Sequence, residues 1–149
     1  MDWAPPLREG WVISTYLTAY DHALNTTRCS HIACALLVDD DLTVTFTNDG
    51  IRHAEICSLS TLPKDSNHKY VDLLIIRVKK DGTMGLAKPC FDCLPEVKAY
   101  GVRYVYYSDS EGEIKVERAT DMVTDHLCAG HYMRESKVLG LCLGTRPKV

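Results

Sequence analysis

Apolar residues recur along the chain with two periods, and a change of period marks the boundary between predicted elements. A period of about 3.6 residues predicts a helix, whereas alternation, or a short unbroken apolar run such as 31–38, predicts a strand. Turn residues separate the elements, as in Asp39-Asp40-Asp41 and Asn48-Asp49-Gly50. Predicted helices cover 11–24, 53–62, 89–100 and 119–134, and predicted strands cover 31–38, 42–47, 71–78, 102–108 and 113–118.

The first predicted helix, at 11–24, is amphipathic, with a stripe of apolar side chains that can pack against a sheet. We interpret the stripe as core packing rather than as a cofactor site, because its aromatic and aliphatic residues follow helical spacing. The side chains expected to face the core are Ile13, Tyr16, Leu17, Tyr20 and Leu24.

The connection between the last two predicted strands fixes their relative direction. Only residues 109–112 separate these strands, whereas a parallel crossover needs roughly a dozen residues. We therefore expect a hairpin and an antiparallel fifth strand. Because helices alternate with strands elsewhere, the pattern predicts an α/β fold: a three-layer α/β/α sandwich around a mixed five-stranded sheet, in one domain spanning 1–149.

Composition narrows the function classes. The chain has 149 residues, of which 46% are hydrophobic and 25% charged, and no apolar run reaches the length of about 18 residues expected of a membrane span. The start of the chain lacks the basic and apolar regions of a secretory signal, and the seven cysteines are expected to be reduced, so a cytoplasmic location is favoured. The net charge of −3 and the scattered lysines and arginines disfavour long nucleic acid as the substrate.

Four residues in two short segments carry the candidate chemistry. His53, Cys90 and Cys93 supply one imidazole and two thiolates, which are ligands that zinc prefers, and three protein ligands leave a fourth position open for water. Glu55 is a carboxylate beside these ligands that can move protons to and from that water. We therefore predict a catalytic Zn²⁺ site in which His53, Cys90 and Cys93 bind the metal and Glu55 is the catalytic acid–base.

The order of these residues, His-x-Glu followed by Pro-Cys-x-x-Cys with Pro89 before the first cysteine, resembles the signature of the cytidine deaminase superfamily. The resemblance implies an enzyme that hydrolyses cytosine to uracil on a sandwich fold. The expected hairpin at the end of the sheet is typical of the nucleoside deaminases and of several toxin deaminases. The resemblance also implies that Ala54, Lys88 and Pro89 line the substrate pocket, and that superfamily members often assemble as homo-oligomers.

Asn48 has two readings that the sequence leaves open. It resembles in kind an asparagine that many superfamily members place ahead of the metal ligand to contact the sugar. It also stands beside Asp49 and Gly50, where turn formation accounts for it equally well.

The substrate is also left open among alternatives. The first is cytosine in a free pyrimidine nucleoside, nucleotide or close analogue, and the second is cytosine in single-stranded DNA or RNA. The third is a non-catalytic interaction module stabilised by zinc. The residues that nucleoside deaminases usually carry after the second cysteine are replaced here by Leu94 and Pro95, which weakens the link to any single substrate.

Overall fold

A computed structural model describes residues 4–25, 31–47, 53–62 and 69–124 of the chain. Asn48, a predicted sugar contact, lies outside these residues. The described part is an α/β fold around a mixed six-stranded sheet, as the pattern of the sequence predicted in outline. The helices are α1 (Glu9–Leu24), α2 (Ala54–Leu59) and α3 (Leu94–Ala99), and the strands are β1 (Ile32–Val38), β2 (Asp41–Thr47), β3 (Val71–Val78), β4 (Met84–Gly85), β5 (Tyr104–Ser108) and β6 (Ile114–Arg118).

The sheet follows the order β2-β1-β3-β5-β6, with β4 paired to β3 outside this path. Strand β1 is antiparallel to both β2 and β3, whereas β3 and β5 run parallel and are joined through α3. Strands β5 and β6 pair antiparallel, which confirms the predicted hairpin. The prediction of five strands was wrong, because β4 has only two residues and is too short to produce a periodic pattern.

Helices lie on both faces of the sheet, because alternate side chains of each strand point to opposite faces. One face, which includes Leu73, Ile75 and Val105, packs against residues of α2 and α3. The other face, which includes Leu74 and Ile76, packs against α1. Strand β3 is buried on both faces, as its nearly continuous apolar sequence indicates.

The face that α1 turns to the sheet differs from the predicted one. Tyr16 and Tyr20 do pack on the sheet, but Ile13, Leu17 and Leu24 are 50%, 54% and 63% exposed. The buried positions are instead the small residues Thr15, Ala19 and Ala23. Small side chains allow the helix to approach the sheet closely, so the contact face follows the small residues rather than the largest apolar ones.

The last predicted helix, at 119–134, was wrong at its start. Residues Ala119–Asp121 form a single 3₁₀ turn, after which Met122 is extended with φ −71° and ψ 134°. Met122 is fully buried against the α2/α3 face of the sheet, so packing of this side chain favours the extended backbone over a continuing helix. The rest of the predicted segment, from residue 125, lies outside the described residues. No described helix combines the length and apolarity needed to cross a bilayer.

Candidate metal centre

His53 immediately precedes the first residue of α2, which is the position that the predicted site requires. Its backbone is extended, with φ −75° and ψ 156°, and its carbonyl accepts the N–H of Cys57, so the helix begins directly after it. On a regular helix, side chains two positions apart diverge by about 200°. Because His53 precedes the first helical turn, its ring can share one site with Glu55, and the two groups interact electrostatically.

Cys90 and Cys93 lie in a turn that precedes α3, rather than inside the helix predicted for 89–100. The N–H groups of Cys93 and Leu94 both donate to the carbonyl of Cys90, at 3.1 and 3.0 Å. The helix begins only at Leu94 because Pro95 follows. Proline lacks an N–H donor and is tolerated in the first turn of a helix, whereas an interior proline costs about 3 kcal/mol.

The structure brings all three predicted metal ligands together. The Nδ1 atom of His53 lies 2.8 Å from Sγ of Cys93 and 3.5 Å from Sγ of Cys90. The three ligand atoms lie within 4.8 Å of one another, although 37 and 40 residues separate His53 from the two cysteines. Both sulfurs are buried, and the imidazole is half-buried. This group can hold a metal ion.

The donor set fits zinc. With Zn–N near 2.0 Å and Zn–S near 2.3 Å, a tetrahedral ion separates nitrogen from sulfur by roughly 3.5 Å. The distance between His53 and Cys90 has this value, and the distance between His53 and Cys93 is shorter, as expected of a direct hydrogen bond. Lengthening that one contact by about 0.7 Å would admit the ion. With these three ligands, the described part of the chain leaves one tetrahedral position open.

The electrostatics of the group favour the metal-binding form of the thiol. Hydrogen bonds from Cys93 and then from His53 lower the pKa of Cys90 to about 4, although burial alone would raise it. The hydrogen bond to Cys90 in turn raises the pKa of His53 above its ordinary value. A thiolate is the form that binds metal, so the sulfur of Cys90 is prepared for an ion at neutral pH.

Glu55 is a buried carboxyl group with an unsatisfied atom. Glu55 is only 4% exposed, and among the described residues its Oε1 atom has no hydrogen-bond partner. Burial is the largest influence on this group and raises the pKa of Glu55, because water no longer solvates the charged form. A buried polar atom without a partner costs free energy, which points to a role with a ligand or water.

The expected pocket residues are placed as follows. Ala54 and Pro89 are buried next to the metal ligands that they adjoin in the chain. The Lys88 ammonium instead points to β6, where its Nζ atom lies 3.2 Å from Oε2 of Glu117. The Tyr107 hydroxyl donates a hydrogen bond to the same Glu117 oxygen. The sequence pattern did not indicate Glu117 or Tyr107, since neither belongs to a motif.

A second group of acidic residues, at Asp109, Glu111 and Glu113, has a different origin. The Asp109 carboxylate accepts the N–H groups of Glu111 and Glu113, both at 2.9 Å, and so closes the turn between β5 and β6. The Lys115 ammonium lies 3.7 Å from the same carboxylate. This arrangement is explained by turn formation.

Comparison with known proteins adds no identification to this geometry. No protein-family model matches the chain, and no characterised protein matches its sequence significantly.

Proposed function

We propose that the chain is a zinc-dependent hydrolytic deaminase that converts cytosine to uracil in a free nucleoside, nucleotide or close analogue. The observation that carries the proposal is the buried Glu55 carboxyl, with its unsatisfied oxygen, beside a group of one imidazole and two thiol sulfurs. A purely structural zinc site uses four protein ligands, whereas among the described residues this group has three, and the Glu55 carboxyl is not one of them.

The fold supports the same proposal. Sheet faces covered by α1 on one side and by α2 and α3 on the other are what a deaminase-like three-layer sandwich requires. Both halves of the metal group lie where the chain enters the helices on one face, at the starts of α2 and α3. The hairpin of β5 and β6 is the ending that the nucleoside-like members of the superfamily share.

The chemistry follows from the residues. A zinc ion held by His53, Cys90 and Cys93 would supply Lewis acidity that makes water a nucleophile near neutral pH. The Glu55 carboxylate takes a proton from that water and delivers it to the ring nitrogen of the cytosine, so the amino-bearing carbon accepts the oxygen. The resulting Glu55 carboxylate takes the proton of the newly added hydroxyl and passes it to the amino group, so the carbon–nitrogen bond breaks, the carbonyl of uracil forms and ammonia leaves.

Burial suits Glu55 to this exchange of protons. A raised pKa brings a carboxyl closer to the operating pH, where it can both accept and donate a proton. Ala54 and Pro89 are buried beside the ligands that they adjoin in the chain, so neither position adds a charged side chain next to the metal group.

A panel of substrates tests the proposal. Purified zinc-loaded protein is incubated with cytidine, deoxycytidine, their monophosphates and a cytosine-containing single-stranded oligonucleotide, and uracil formation is followed by mass. Turnover of at least one mononucleoside or mononucleotide is expected. Turnover of the oligonucleotide alone would favour action on single-stranded DNA or RNA. No turnover of any member, with zinc bound in stoichiometric amount, would favour an interaction module.

A further inference from the structure

The parallel pairing of β3 and β5 ends close to the segment that leads to the metal ligand Cys90. The hydroxyl of Ser108 lies at this end of the pairing. The parallel ladder includes Leu73 with Val105 and ends with Ile75 and Tyr107. Beyond it, the short strand β4 pairs with β3 through Arg77 and Gly85. The three strands therefore meet at a fork, and Ser108, the last residue of β5, is fully buried there.

Ser108 joins all three strands through three hydrogen bonds. Its hydroxyl donates to the Gly85 carbonyl at 2.7 Å and accepts the Arg77 N–H at 3.0 Å. Its own carbonyl accepts the Ala87 N–H at 2.9 Å. The hydroxyl thus provides the acceptor that the Arg77 N–H of β3 lacks where the ladder ends, and the hydroxyl and the backbone carbonyl of Ser108 together hold the residues on both sides of Leu86.

The segment that Ser108 fixes leads directly to a metal ligand. Ala87 is followed by Lys88, Pro89 and Cys90, and the residues at 87, 89 and 90 are buried. Proline restricts φ near −65°, so little freedom remains between the hydrogen-bonded Ala87 and the sulfur of Cys90. Displacement of residues 85–87 would therefore move this ligand relative to His53.

The hairpin holds the same segment at a second point. The Lys88 ammonium is paired with Glu117 on β6, at 3.2 Å, and Tyr107 on β5 donates to that carboxylate. This pair is partly exposed, with side chains 22% and 33% accessible, so it is the weaker of the two anchors. The ladder of β5 and β6 connects the anchors, since Ser108 pairs with Ile114 in the same hairpin.

We propose that Ser108 is a positioning residue of the metal centre, which holds the segment 85–90 so that Cys90 meets His53 and Cys93, with Glu117 as an auxiliary anchor. The inference rests on the metal site of the proposed function. Removal of a group that hydrogen-bonds directly to a metal ligand typically weakens metal affinity about 10- to 100-fold, whereas Ser108 acts on Cys90 through the backbone of residues 85–87, so a smaller effect is expected of its removal.

The test compares zinc affinity, measured by competition with a chromophoric chelator, in wild type, Ser108→Ala and Thr15→Val. Thr15 is a matched control, because it is also fully buried and its hydroxyl donates one hydrogen bond, to the Trp11 carbonyl at 2.8 Å, on the opposite face of the sheet. We expect Ser108→Ala to raise the dissociation constant about three- to tenfold, below the range for direct partners of metal ligands. Thr15→Val is expected to leave it within about twofold while it lowers thermal stability.

A spectroscopic measurement separates positioning from general destabilisation. In the cobalt-substituted protein, the visible absorption bands report the geometry of the thiolate ligands. These bands are expected to shift or lose intensity in Ser108→Ala and to stay unchanged in Thr15→Val. Equal zinc affinity and identical cobalt spectra in wild type and Ser108→Ala would overturn the positioning role.

Two further outcomes are distinguishable. If Ser108→Ala does not fold, Glu117→Gln removes the second anchor from a partly exposed site, and a loss of zinc affinity of about threefold is expected, outside the twofold range of the control; an affinity within that range would then overturn the proposal. If the wild-type protein itself takes up no ion, the zinc site of the proposed function fails, and the positioning role fails with it. Zinc binding without deaminase activity would contradict the proposed function alone.

Discussion

The Arg103 guanidinium donates two hydrogen bonds to the Asp72 carboxylate, from Nε to Oδ1 at 3.1 Å and from Nη2 to Oδ2 at 2.7 Å. Asp72 is the second residue of β3, only 3% of its side-chain surface is accessible, and its Oδ1 atom also accepts the N–H of Tyr104. The Arg103 guanidinium lies 4.0 Å from the centre of the Tyr70 ring, so it is held from a second side. This ion pair joins the starts of β3 and β5, where their parallel pairing begins.

Replacement of Arg103 by Met should lower the free energy of unfolding by roughly 3 kcal/mol, because it leaves a buried carboxylate without its cation. Urea unfolding followed by circular dichroism measures the change. Lys115→Met is the control, since the Lys115 side chain is 53% exposed and its contacts to Asp109 and Glu113 are long, at 3.7 and 3.9 Å, so little change is expected. Equal effects of the two substitutions would contradict the assignment.

Ala19 tests the face of α1 that contacts the sheet. It is fully buried, so Ala19→Leu should overfill the contact and destabilise the protein by about 1–3 kcal/mol. Leu17→Ala, at a position 54% exposed, should change stability by no more than about 0.5 kcal/mol. If Leu17→Ala were the more damaging of the two in thermal unfolding, the predicted apolar stripe would face the core after all.

Much of this architecture could be predicted from the sequence, and the failures have physical causes. The buried strand at 71–78 and the hairpin at 109–112 were clear, because an apolar run and a short connection each allow few structures. The sequence pattern predicts the wrong face of α1, because alanine and threonine carry little hydrophobic signal although they decide how closely a helix can approach. Pro95 lies in the first turn of α3 as observed, whereas the sequence pattern places the start of this helix at the preceding proline, Pro89.

Part of the candidate site could likewise be predicted from the sequence, and part of it could not. His53, Cys90 and Cys93 could be predicted to converge because their types and spacing belong to one kind of metal group. The contacts of Ser108 and Glu117 could not be predicted, because serine and glutamate are common in every kind of element. Their partners lie 23 to 31 residues away in the chain or on a neighbouring strand. Such contacts depend on register, which a sequence pattern alone does not fix.

Loss of either sulfur ligand should remove the metal. Cys90→Ser and Cys93→Ser are each expected to lower zinc content well below one ion per chain and to reduce the melting temperature, because metal binding contributes to folding free energy. Cys34→Ala is the matched control: this thiol is fully buried in β1 and lies outside the ligand group. Full zinc content in both serine variants, measured by mass spectrometry of the metal, would exclude these residues as ligands.

Glu55→Gln should abolish deamination, with a loss of at least about a hundredfold in kcat, while one zinc ion per chain remains. The amide keeps the volume of the side chain but cannot exchange protons with water and base. Metal content and turnover of the preferred substrate are measured on the same preparation. Loss of the ion in this variant would mean that Glu55 is itself a ligand, and unchanged turnover would mean that it is not the acid–base.

His31 should make stability dependent on pH. It is 2% exposed, and neither ring nitrogen has a hydrogen-bond partner among the described residues. Burial, followed by the nearby His22, Lys80 and Arg77, lowers the pKa of His31 below the 6.5 of an exposed histidine. The native state therefore keeps this ring neutral at a pH where the unfolded chain already binds a proton.

The contribution of neutral, buried His31 to the free energy of unfolding should therefore be fully present above pH 6.5. It should be lost as the pH falls through the lowered pKa of His31. Urea unfolding of wild type and His31→Gln between pH 7.5 and about pH 5 measures the slope. A flatter slope is expected in the variant, whatever its absolute stability. Identical slopes would show that His31 is protonated equally in the folded and unfolded chains.

The distance in sequence between the ligands also constrains when the centre can exist. His53 is translated 37 residues before Cys90 and 40 before Cys93, and β3 and β4 lie between them. During synthesis the imidazole has no sulfur partners until β3, β4 and both cysteines have emerged from the ribosome. This group can therefore hold an ion only once Cys93 has been made, and a nascent chain interrupted before Cys90 lacks both sulfurs whatever metal is added.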